Sequence, residues 1–537
     1  MQKHLAHRRY LTHFDSRMLP HIFTDVLVVG GGVAGLRAAI AAAEHGTVTI
    51  LTKQNVEESN TRYAQGGVAV AMSEDDTVDR HVADTLATGV GLCDEQTVRV
   101  VVGEGPDRVQ ELVDWGAAFD RANGEFMFTK EGGHSVARIL HARGDATGAE
   151  ISHTLINVAR RCENIQLLED HFVVDLITPD AEVQGAVVYN PVRGMMLLWA
   201  SQVILATGGV GRVYRETTNP AGATGDGLAI AYRAGAALQD LEFVQFHPTT
   251  LYIAGASRTL ISETVRGEGA KLVNRAGERF MSGYHPDAEL APRDVVSRSI
   301  HHEMQATNHP CVYLDITHLD RAHLQQRFPA ICKECQSFGI DISTDRIPVR
   351  PSAHYFVGGV KVESMGRTSV PNLFAVGEVA CTGLHGANRL GSNSLLEGLV
   401  FGARAGACAG EVLAETGRPR PPHSVASQLM GPKRGEIDLG DVENSLRSLM
   451  WRAAGIEREE SHLETAEDYV DFWCGYIIDK TFSDVGGWVL QNMLTVAKLV
   501  LHSARERRES RGVHFRTDFP DTDDAHWKRH ITLQREG

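Results

Sequence analysis

The chain has 537 residues, too many for a single hydrophobic core, so two or three domains are expected. Hydrophobic residues make up 43% of it and charged residues 23%, an ordinary globular composition. Because Asp and Glu outnumber Lys and Arg by 68 to 53, the net charge of -15 disfavours nucleic acid and anionic membrane as partners. A dianionic small molecule would need a local cluster of Arg and His side chains to bind here.

Residues 1–20 are basic and rich in His, but they lack the apolar run of a secretory signal. We therefore expect a frayed tail on a cytoplasmic protein; an organellar transit segment is the alternative, although Ser is scarce here. No apolar run reaches the ~18 residues of a membrane-spanning helix, so no transmembrane span is expected.

The first clear elements form one continuous unit. A short apolar strand over Asp25–Gly30 leads into a glycine turn, an Ala-rich helix over Leu36–His45 and a second strand over Val48–Leu51. Strand, turn, helix and strand within about thirty residues are typical of the βαβ unit of a dinucleotide-binding fold. A glycine turn without a ligand is the alternative.

The turn itself has the G-x-G-x-x-G spacing, with Gly30, Gly32 and Gly35 in the sequence Gly30-Gly31-Gly32-Val33-Ala34-Gly35. These glycines permit a tight turn, close approach of a pyrophosphate and close helix packing, respectively. The second strand ends at Thr52-Lys53, where NAD-binding folds carry an acidic residue for the ribose. This departure disfavours a plain nicotinamide dehydrogenase.

Further along lies a loop of small and hydrogen-bonding residues, Ser59-Asn60-Thr61-Arg62-Tyr63-Ala64-Gln65-Gly66-Gly67. Such a loop can lie flat against a planar ring system. An ordinary polar loop is the equally acceptable interpretation.

Two later apolar strands, at 202–209 and 372–378, also run into glycines. Widely separated strands of this kind predict one sheet assembled from distant segments, with 241–353 as an insertion. A linker at 416–422 then precedes helical patterns at 442–453, 464–473 and 487–508, which predict a C-terminal helical bundle. The expected fold class is α/β, with a Rossmann-like domain, an inserted α+β domain and this bundle.

Cys332 and Cys335 form a lone C-x-x-C among eight scattered Cys residues, a pattern that suits a reducing compartment. A zinc site would need a second pair, and a redox motif would open a helix after a strand. We interpret the pair as a coincidence on a helix surface and expect no metal site.

Cationic and imidazole groups concentrate at His247, Arg293, His354 and Arg389. Arg offers a two-pronged donor for carboxylates, and His adds another donor. Each of them alone is more often a structural residue. Their spacing cannot show that they converge.

Taken together, these motifs resemble the succinate dehydrogenase/fumarate reductase flavoprotein superfamily, and most closely its aspartate-oxidising members. The resemblance runs from Asp25 to the Ser510–Pro520 stretch. It implies an FAD-binding domain over 1–240 (with the tail at 1–22) and 354–421, a mobile capping domain over 241–353, and a helical domain over 422–537.

By the same resemblance, FAD would contact a set of residues spread over the first and third of these segments. They are Gly30, Gly31, Gly32, Val33, Ala34, Gly35, Lys53, Asn60, Thr61, Arg62, Tyr63, Ala64, Gln65, Gly66, Gly67, Phe172, Val173, Asp226, Glu378, Ser394 and Leu395. The family's catalytic arginine corresponds to Arg293, which would act in proton transfer or electrostatically. Its carboxylate-binding residues correspond to His247, His354 and Arg389, with Ser262 and Glu263 nearby.

Two positions distinguish members of the family. Relatives with covalent flavin carry a His where this chain has Asn60, so the FAD should be bound non-covalently. Relatives specific for dicarboxylates carry an uncharged residue where this chain has Glu131. A substrate ammonium would give that carboxylate a partner, whereas succinate would leave it unpaired in a closed site.

The resemblance therefore implies FAD-dependent oxidation of L-aspartate to iminoaspartate, with oxygen or fumarate as acceptor. Oxygen would give hydrogen peroxide, and quinolinate synthase would use the unstable product in NAD biosynthesis. One alternative is a fumarate reductase or succinate dehydrogenase flavoprotein, which would need an iron–sulfur partner. The other is a non-catalytic flavin-binding module.

Overall fold

A computed structural model describes residues 8–255, 259–416, 424–428 and 437–535. The chain mixes helices with short and long strands. The strands, in chain order, are β1 Phe14–Asp15, β2 His21–Val29, β3 Val48–Leu51, β4 Val68–Ala69, β5 Arg121–Ala122, β6 Glu125–Phe126, β7 Phe128–Thr129, β8 Ile139–Leu140, β9 Ile165–Leu168, β10 Phe172–Ile177, β11 Gly185–Asn190, β12 Gly194–Leu205, β13 Leu238–Gln239, β14 Val244–Leu251, β15 Lys271–Val273, β16 Val312–Asp315, β17 Ile347–Phe356, β18 Gly359–Lys361, β19 Leu373–Ala375, β20 Ala380–Cys381, β21 Ala426–Ser427 and β22 Thr532–Leu533.

The helices range from one turn to more than six turns. In chain order they are α1 Val33–Ala42, α2 Val78–Thr88, α3 Glu95–Asp114, α4 Thr147–Arg161, α5 Asp226–Arg233, α6 Glu263–Gly267, α7 Arg293–Ala306, α8 Arg321–Arg327, α9 Pro329–Ser337, α10 Asn393–Thr416, α11 Leu439–Ala453, α12 Glu460–Ile477, α13 Val485–Glu506 and α14 Asp524–Trp527. In the described ranges, no helix combines the length and apolar character needed to cross a membrane.

The central sheet has the strand order β10-β11-β12-β2-β3-β9, and β19 pairs with the end of β12. Strands β12, β2, β3, β9 and β19 run parallel to one another, while β10 and β11 form an antiparallel extension next to β12. All four residues of β3 are buried, as expected for a parallel strand covered on both faces. The prediction of one sheet built from distant segments is confirmed, and the α/β fold class with it.

Helix α1 begins at Val33, three residues before the predicted start at Leu36. Its neighbour α10 packs along it in parallel through small residues. A Cβ atom on Gly402 would lie 2.6 Å from the carbonyl oxygen of Ala34, and one on Gly406 would lie 2.2 Å from that of Ala38. The two helix backbones are therefore in direct contact, which only glycine at these positions of α10 permits.

Between Val244 and Phe356 the chain builds a separate four-stranded antiparallel sheet, in the order β14-β17-β16-β15. It has a hydrophobic cluster of its own, made with side chains from α7, α8 and α9. Cys335 of α9 is fully buried in that cluster, and Cys332 is partly buried against it. The interpretation of this pair as a surface feature was therefore wrong for Cys335, because α9 turns its apolar face inward.

Helices α11, α12 and α13 confirm the three helices predicted after the linker. Helix α13 is buried over most of its length, and Trp488 near its start stacks on Phe172 of the central sheet. The predicted linker at 416–422 lies outside the described residues, apart from Thr416 at the end of α10.

The N-terminal segment is ordered where the structure describes it, so the expectation of a frayed tail was wrong for residues 8–22. Leu11 and Phe14 are buried in the main hydrophobic cluster, and β1 pairs with β21. The Arg8 guanidinium donates to the backbone carbonyls of Ile478 and Lys480, each at 2.7 Å, just beyond the end of α12. A cation is stabilised there because the last carbonyls of a helix have no partners within it.

The contact between α1 and α10 gives a stability test with a matched control. Gly406→Ala should destabilise the protein by about 1–3 kcal/mol, because the added methyl group meets a backbone oxygen. Gly103→Ala, in α3, meets nothing within 4 Å and should stabilise by up to about 1 kcal/mol. Thermal unfolding followed by circular dichroism measures both. Equal midpoints for the two variants would contradict the close helix contact.

Candidate active site

A cavity of about 1080 Å³ lies at the ends of the parallel strands β2, β3 and β12. Most residues that the sequence assigned to the cofactor line it. These are Gly30, Gly31, Gly32, Val33, Ala34, Lys53, Asn60, Thr61, Tyr63, Ala64, Gln65, Phe172, Val173, Asp226, Glu378, Ser394 and Leu395. A cavity at the carboxyl ends of parallel strands is where open α/β sheets bind ligands.

Four assigned residues do not line this cavity. Arg62 is exposed and pairs with Glu57. Gly35 packs against the backbone of Gly30, Gly67 packs against Leu140, and Gly66 lies beside Ser392. Gly35 therefore serves helix packing, as the glycine spacing predicted.

The glycine turn brings the start of α1 to the cavity wall. Gly30 has φ of +114°, and a Cβ there would lie 2.2 Å from the carbonyl oxygen of Ala206. Gly32 caps α1 without a side-chain hydrogen bond, whereas the Val33 N–H donates to Thr61 Oγ1 at 3.0 Å. Unpaired N–H groups at a helix start favour an anion such as a pyrophosphate.

Polar side chains around the cavity are buried without all of their partners. Asn60 Nδ2 donates to Glu378 Oε2 at 2.8 Å, but Asn60 Oδ1 has no hydrogen-bond partner among the described residues. Gln65 Oε1 and Thr207 Oγ1 are also buried without a hydrogen-bond partner among those residues. Buried polar atoms of this kind normally have a partner, so this cavity fits a ligand with many hydrogen-bonding groups, as FAD has.

Lys53 and Asp226, both assigned to the cofactor, pair with each other at 2.9 Å between Nζ and Oδ2. Asn492 of α13 donates to the other Asp226 oxygen at 2.7 Å. The ammonium of Lys53 also lies 5.4 Å from the centre of the Phe172 ring. These contacts fix one end of the cavity.

Beside the cavity, two buried carboxylates and an arginine form the second part of the site. Arg293 Nε, at the start of α7, donates to Glu263 Oε2 at 2.5 Å. Glu131 accepts hydrogen bonds from Thr264 Oγ1 at 3.1 Å and from Ser392 Oγ at 2.9 Å. Ser262 caps α6, the helix that Glu263 begins.

Gln245 joins Arg293 to the remaining predicted residues. Its Oε1 accepts from Arg293 Nη1 at 3.3 Å and from Arg389 Nη1 at 3.4 Å. The rings of His247 and His354 lie edge to face, 5.1 Å apart. The structure therefore brings together the four cationic and imidazole residues whose convergence the sequence could not establish.

The two carboxylates of this cluster, Glu131 and Glu263, lie in different electrostatic surroundings. Burial raises the pKa of Glu131, and the nearby Glu263 raises it further. Burial would raise the pKa of Glu263 as well, but Arg293 and Arg266 outweigh it and lower that pKa. The two carboxylates thus differ in their tendency to lose a proton, a common arrangement in acid–base sites.

The basic groups are affected by burial too. Burial, reinforced by Arg293, lowers the pKa of His247 well below its usual value; burial and Arg389 do the same for His354. Both rings are therefore neutral at pH 7. Burial and Arg293 lower the pKa of Arg389 to about 10, so it remains protonated.

Several residues of the cluster were missed from the sequence, namely Gln245, Thr264, Arg266, Ser392 and Thr218. Gln245 lies two positions before His247 in β14, and alternate residues of a strand face the same side. Arg266 lies one turn after Glu263 in α6. These two could have been found from the periods of strand and helix.

Comparison with known proteins identifies the superfamily to which this fold and site belong. The family description "FAD binding domain" matches residues 25–395, and "Fumarate reductase flavoprotein C-term" matches residues 485–537. A solved quinol-fumarate reductase structure has a TM-score of 0.89 and 33% identity, covering 96% of this chain and 98% of that one. An E. coli quinol fumarate reductase gives 0.88 and 33%, covering 96% and 94%. The fold and site thus define an FAD-dependent enzyme of the succinate dehydrogenase/fumarate reductase flavoprotein superfamily.

Curated relatives identify one family within this superfamily. The L-aspartate oxidase of Streptomyces coelicolor is 45% identical, over 96% of this chain and 92% of that protein. That of Pseudomonas aeruginosa is 42% identical, over 94% and 97%. The chain belongs to the L-aspartate oxidase family within this superfamily.

Proposed function

We propose that this enzyme oxidises L-aspartate to iminoaspartate with bound FAD, as the names of its relatives suggest. The observation that carries the proposal is the charge of the buried cluster. Arg266, Arg293 and Arg389 act on Glu131 and Glu263, so these five side chains carry one surplus positive charge when both carboxylates are ionised. Of the two other carboxylates nearby, Glu289 is paired with Arg279, and burial raises the pKa of Glu378, which favours its neutral form.

L-aspartate at neutral pH has two carboxylates and one ammonium, and its net charge of about −1 matches that surplus. Succinate and fumarate are dianions, and they match the cluster only when Glu131 is protonated. The raised pKa of Glu131 makes both states accessible. Glu131 therefore favours the amino acid when ionised and the dicarboxylates when neutral.

The side chains divide the work of binding and orientation. Arg389, His247 and His354 bind the substrate carboxylates, and Glu131 binds the ammonium. Arg266 and Arg293 hold Glu263 ionised between them, which supports a role for Arg293 in moving a proton to or from the reacting carbons. FAD, when bound, supplies the acceptor for the hydride that leaves the substrate Cα.

Residues 241–353 act in this proposal as a capping unit over the FAD-binding part. The capping unit contributes Gln245, His247, Ser262, Glu263, Thr264, Arg266 and Arg293, whereas Glu131, His354, Arg389 and Ser392 belong to the FAD-binding part. Closing the two parts on a substrate would exclude water, which strengthens the ionic contacts.

Oxygen, giving hydrogen peroxide, or fumarate would reoxidise the flavin. The unstable iminoaspartate would pass to quinolinate synthase in the cytoplasm, as the first step of NAD biosynthesis. Two measurements test these assignments. One is the peroxide released during turnover, and the other is the quinolinate formed when quinolinate synthase and its second substrate are added. Absence of both with L-aspartate would refute them.

Anaerobic reduction tests the proposed function directly. L-aspartate should bleach the flavin of the purified holoenzyme, and D-aspartate serves as the control of matched charge. Absorbance near the flavin maximum is the measurement. Bleaching by succinate but not by L-aspartate would overturn the proposal in favour of a succinate dehydrogenase.

Glu131→Gln should weaken L-aspartate oxidation while fumarate reduction survives, because the amide cannot pair with an ammonium. In the unaltered enzyme, the KM for L-aspartate should fall as pH rises through the raised pKa of Glu131, and the variant should lose that dependence. Glu150→Gln, a buried carboxylate paired with Arg143, is the control. Equal loss of both activities in Glu131→Gln would show that Glu131 is structural.

The flavin is bound without a covalent link in this proposal. Asn60 occupies the position of the linking His and donates to Glu378, and an amide nitrogen is a poor nucleophile. Acid precipitation of the holoenzyme should therefore release all of the yellow colour into the supernatant. Colour that remains in the washed pellet would contradict it.

A further inference from the structure

Arg389 is buried with an aromatic ring in place of a counter-ion. Its guanidinium carbon lies 4.4 Å from the centre of the Tyr355 ring. Nη2 donates to Ser394 Oγ at 2.7 Å, and Nη1 makes the long contact with Gln245. Among the described residues, Glu378 and Glu131 are near enough to act on the charge of Arg389, but neither forms an ion pair with it, and its Nε–H has no hydrogen-bond partner.

Behind that ring lies a second layer of polar groups. The Tyr355 hydroxyl donates to Glu397 Oε2 at 2.9 Å. His385 Nε2 lies 3.0 Å from the same carboxylate oxygen, and Thr382 Oγ1 donates to the other oxygen at 2.6 Å. The Tyr355 and His385 rings meet edge to face at 5.2 Å.

This layer does not border the cavity, whereas Tyr355 and Arg389 do. Glu397 is fully buried in α10, three residues after Ser394. Helix α10 therefore contacts Arg389 directly through Ser394. One turn later, Glu397 of the same helix contacts it indirectly, through the ring of Tyr355.

We propose that Glu397 is a positioning residue that acts on Arg389 through Tyr355, an inference that rests on Arg389 binding a substrate carboxylate. A carboxylate that accepts the phenolic hydrogen bond fixes the ring and increases its electron density. Both effects strengthen the attraction of the ring face for a cation.

The separation of the Glu397 carboxylate from Arg389 has a physical advantage for ligand binding. A carboxylate in direct contact with Arg389 would compete with the substrate for the guanidinium N–H groups. A carboxylate behind the ring stabilises the buried cation without occupying any of those N–H groups. The ring therefore holds the guanidinium from one face and leaves its edge for the ligand.

A double-mutant cycle on the holoenzyme tests this assignment. Tyr355→Phe keeps the ring but removes the hydroxyl, and Glu397→Gln removes the charge. Each should raise the dissociation constant for succinate, measured from the flavin absorbance change, by about tenfold, the scale of one charge-assisted hydrogen bond. The double variant should bind no more weakly than the weaker single variant, because both changes remove the same interaction.

The controls separate positioning from general damage. Tyr214→Phe alters another fully buried tyrosine, one whose hydroxyl lacks a partner within the described ranges, and should leave the constant unchanged. In the test variants the KM for L-aspartate should rise with little change in kcat, and the binding of propionate, which has one carboxylate, should change less than that of succinate.

Three results would overturn the proposal: multiplied effects in the double variant, unaltered succinate binding in Tyr355→Phe, or a loss in kcat alone. If Glu397→Gln does not fold, Tyr355→Phe alone decides by its succinate constant. An unaltered enzyme that binds succinate but is not reduced by L-aspartate would refute the proposed function. The cycle would still test the positioning role.

Discussion

The parallel contact between α1 and α10 is the constraint on which the rest of the site depends. Glycines of α10 lie against the backbone of α1, so the two helices run side by side in register. Their first residues consequently line the same cavity, with Gly32 at one start and Ser394 at the other. Two helix starts at one place favour an anionic ligand there, since their unpaired N–H groups carry partial positive charge.

The same helix also organises the charged cluster beside the cavity. Ser392 precedes α10 and donates to Glu131, and Ser394 accepts from Arg389. A small displacement of α10 would therefore change the cofactor cavity and both ends of the proposed substrate site together. The face of α10 that meets α1 carries glycines because a Cβ atom there would collide with the backbone of α1.

Much of the fold follows from local patterns. The bounds of β3 are those expected from its apolar run, and the three C-terminal helices lie where their periodicity placed them. The prediction of a frayed N-terminal tail was wrong for the described part of it, because a few apolar residues among its many charged ones, such as Leu11, pack in the core. No local pattern shows that a distant helix end will accept Arg8.

The site was accessible from the sequence only in part. Glycine spacing located the dinucleotide cavity, but His247, Arg293, His354 and Arg389 come from distant elements. Only the resemblance grouped them before the structure did. Glu397 is a different case, since it carries no motif and touches no cavity. Its importance depends on a chain of contacts that exists only in three dimensions.

The C-terminal segment bears on the site although its residues 507–531 do not line the cavity. The chain enters the Val244–Phe356 sheet just after Glu242, a buried residue bound by Arg507 Nε at 2.6 Å. It leaves near Val357, whose N–H donates to the Phe243 carbonyl at 3.0 Å. Removing one partner of a buried ion pair typically costs about 3–5 kcal/mol, so the contact between Arg507 and Glu242 holds the chain firmly just before β14. The start of β14, the strand that carries His247, is therefore held by a contact remote from the cavity.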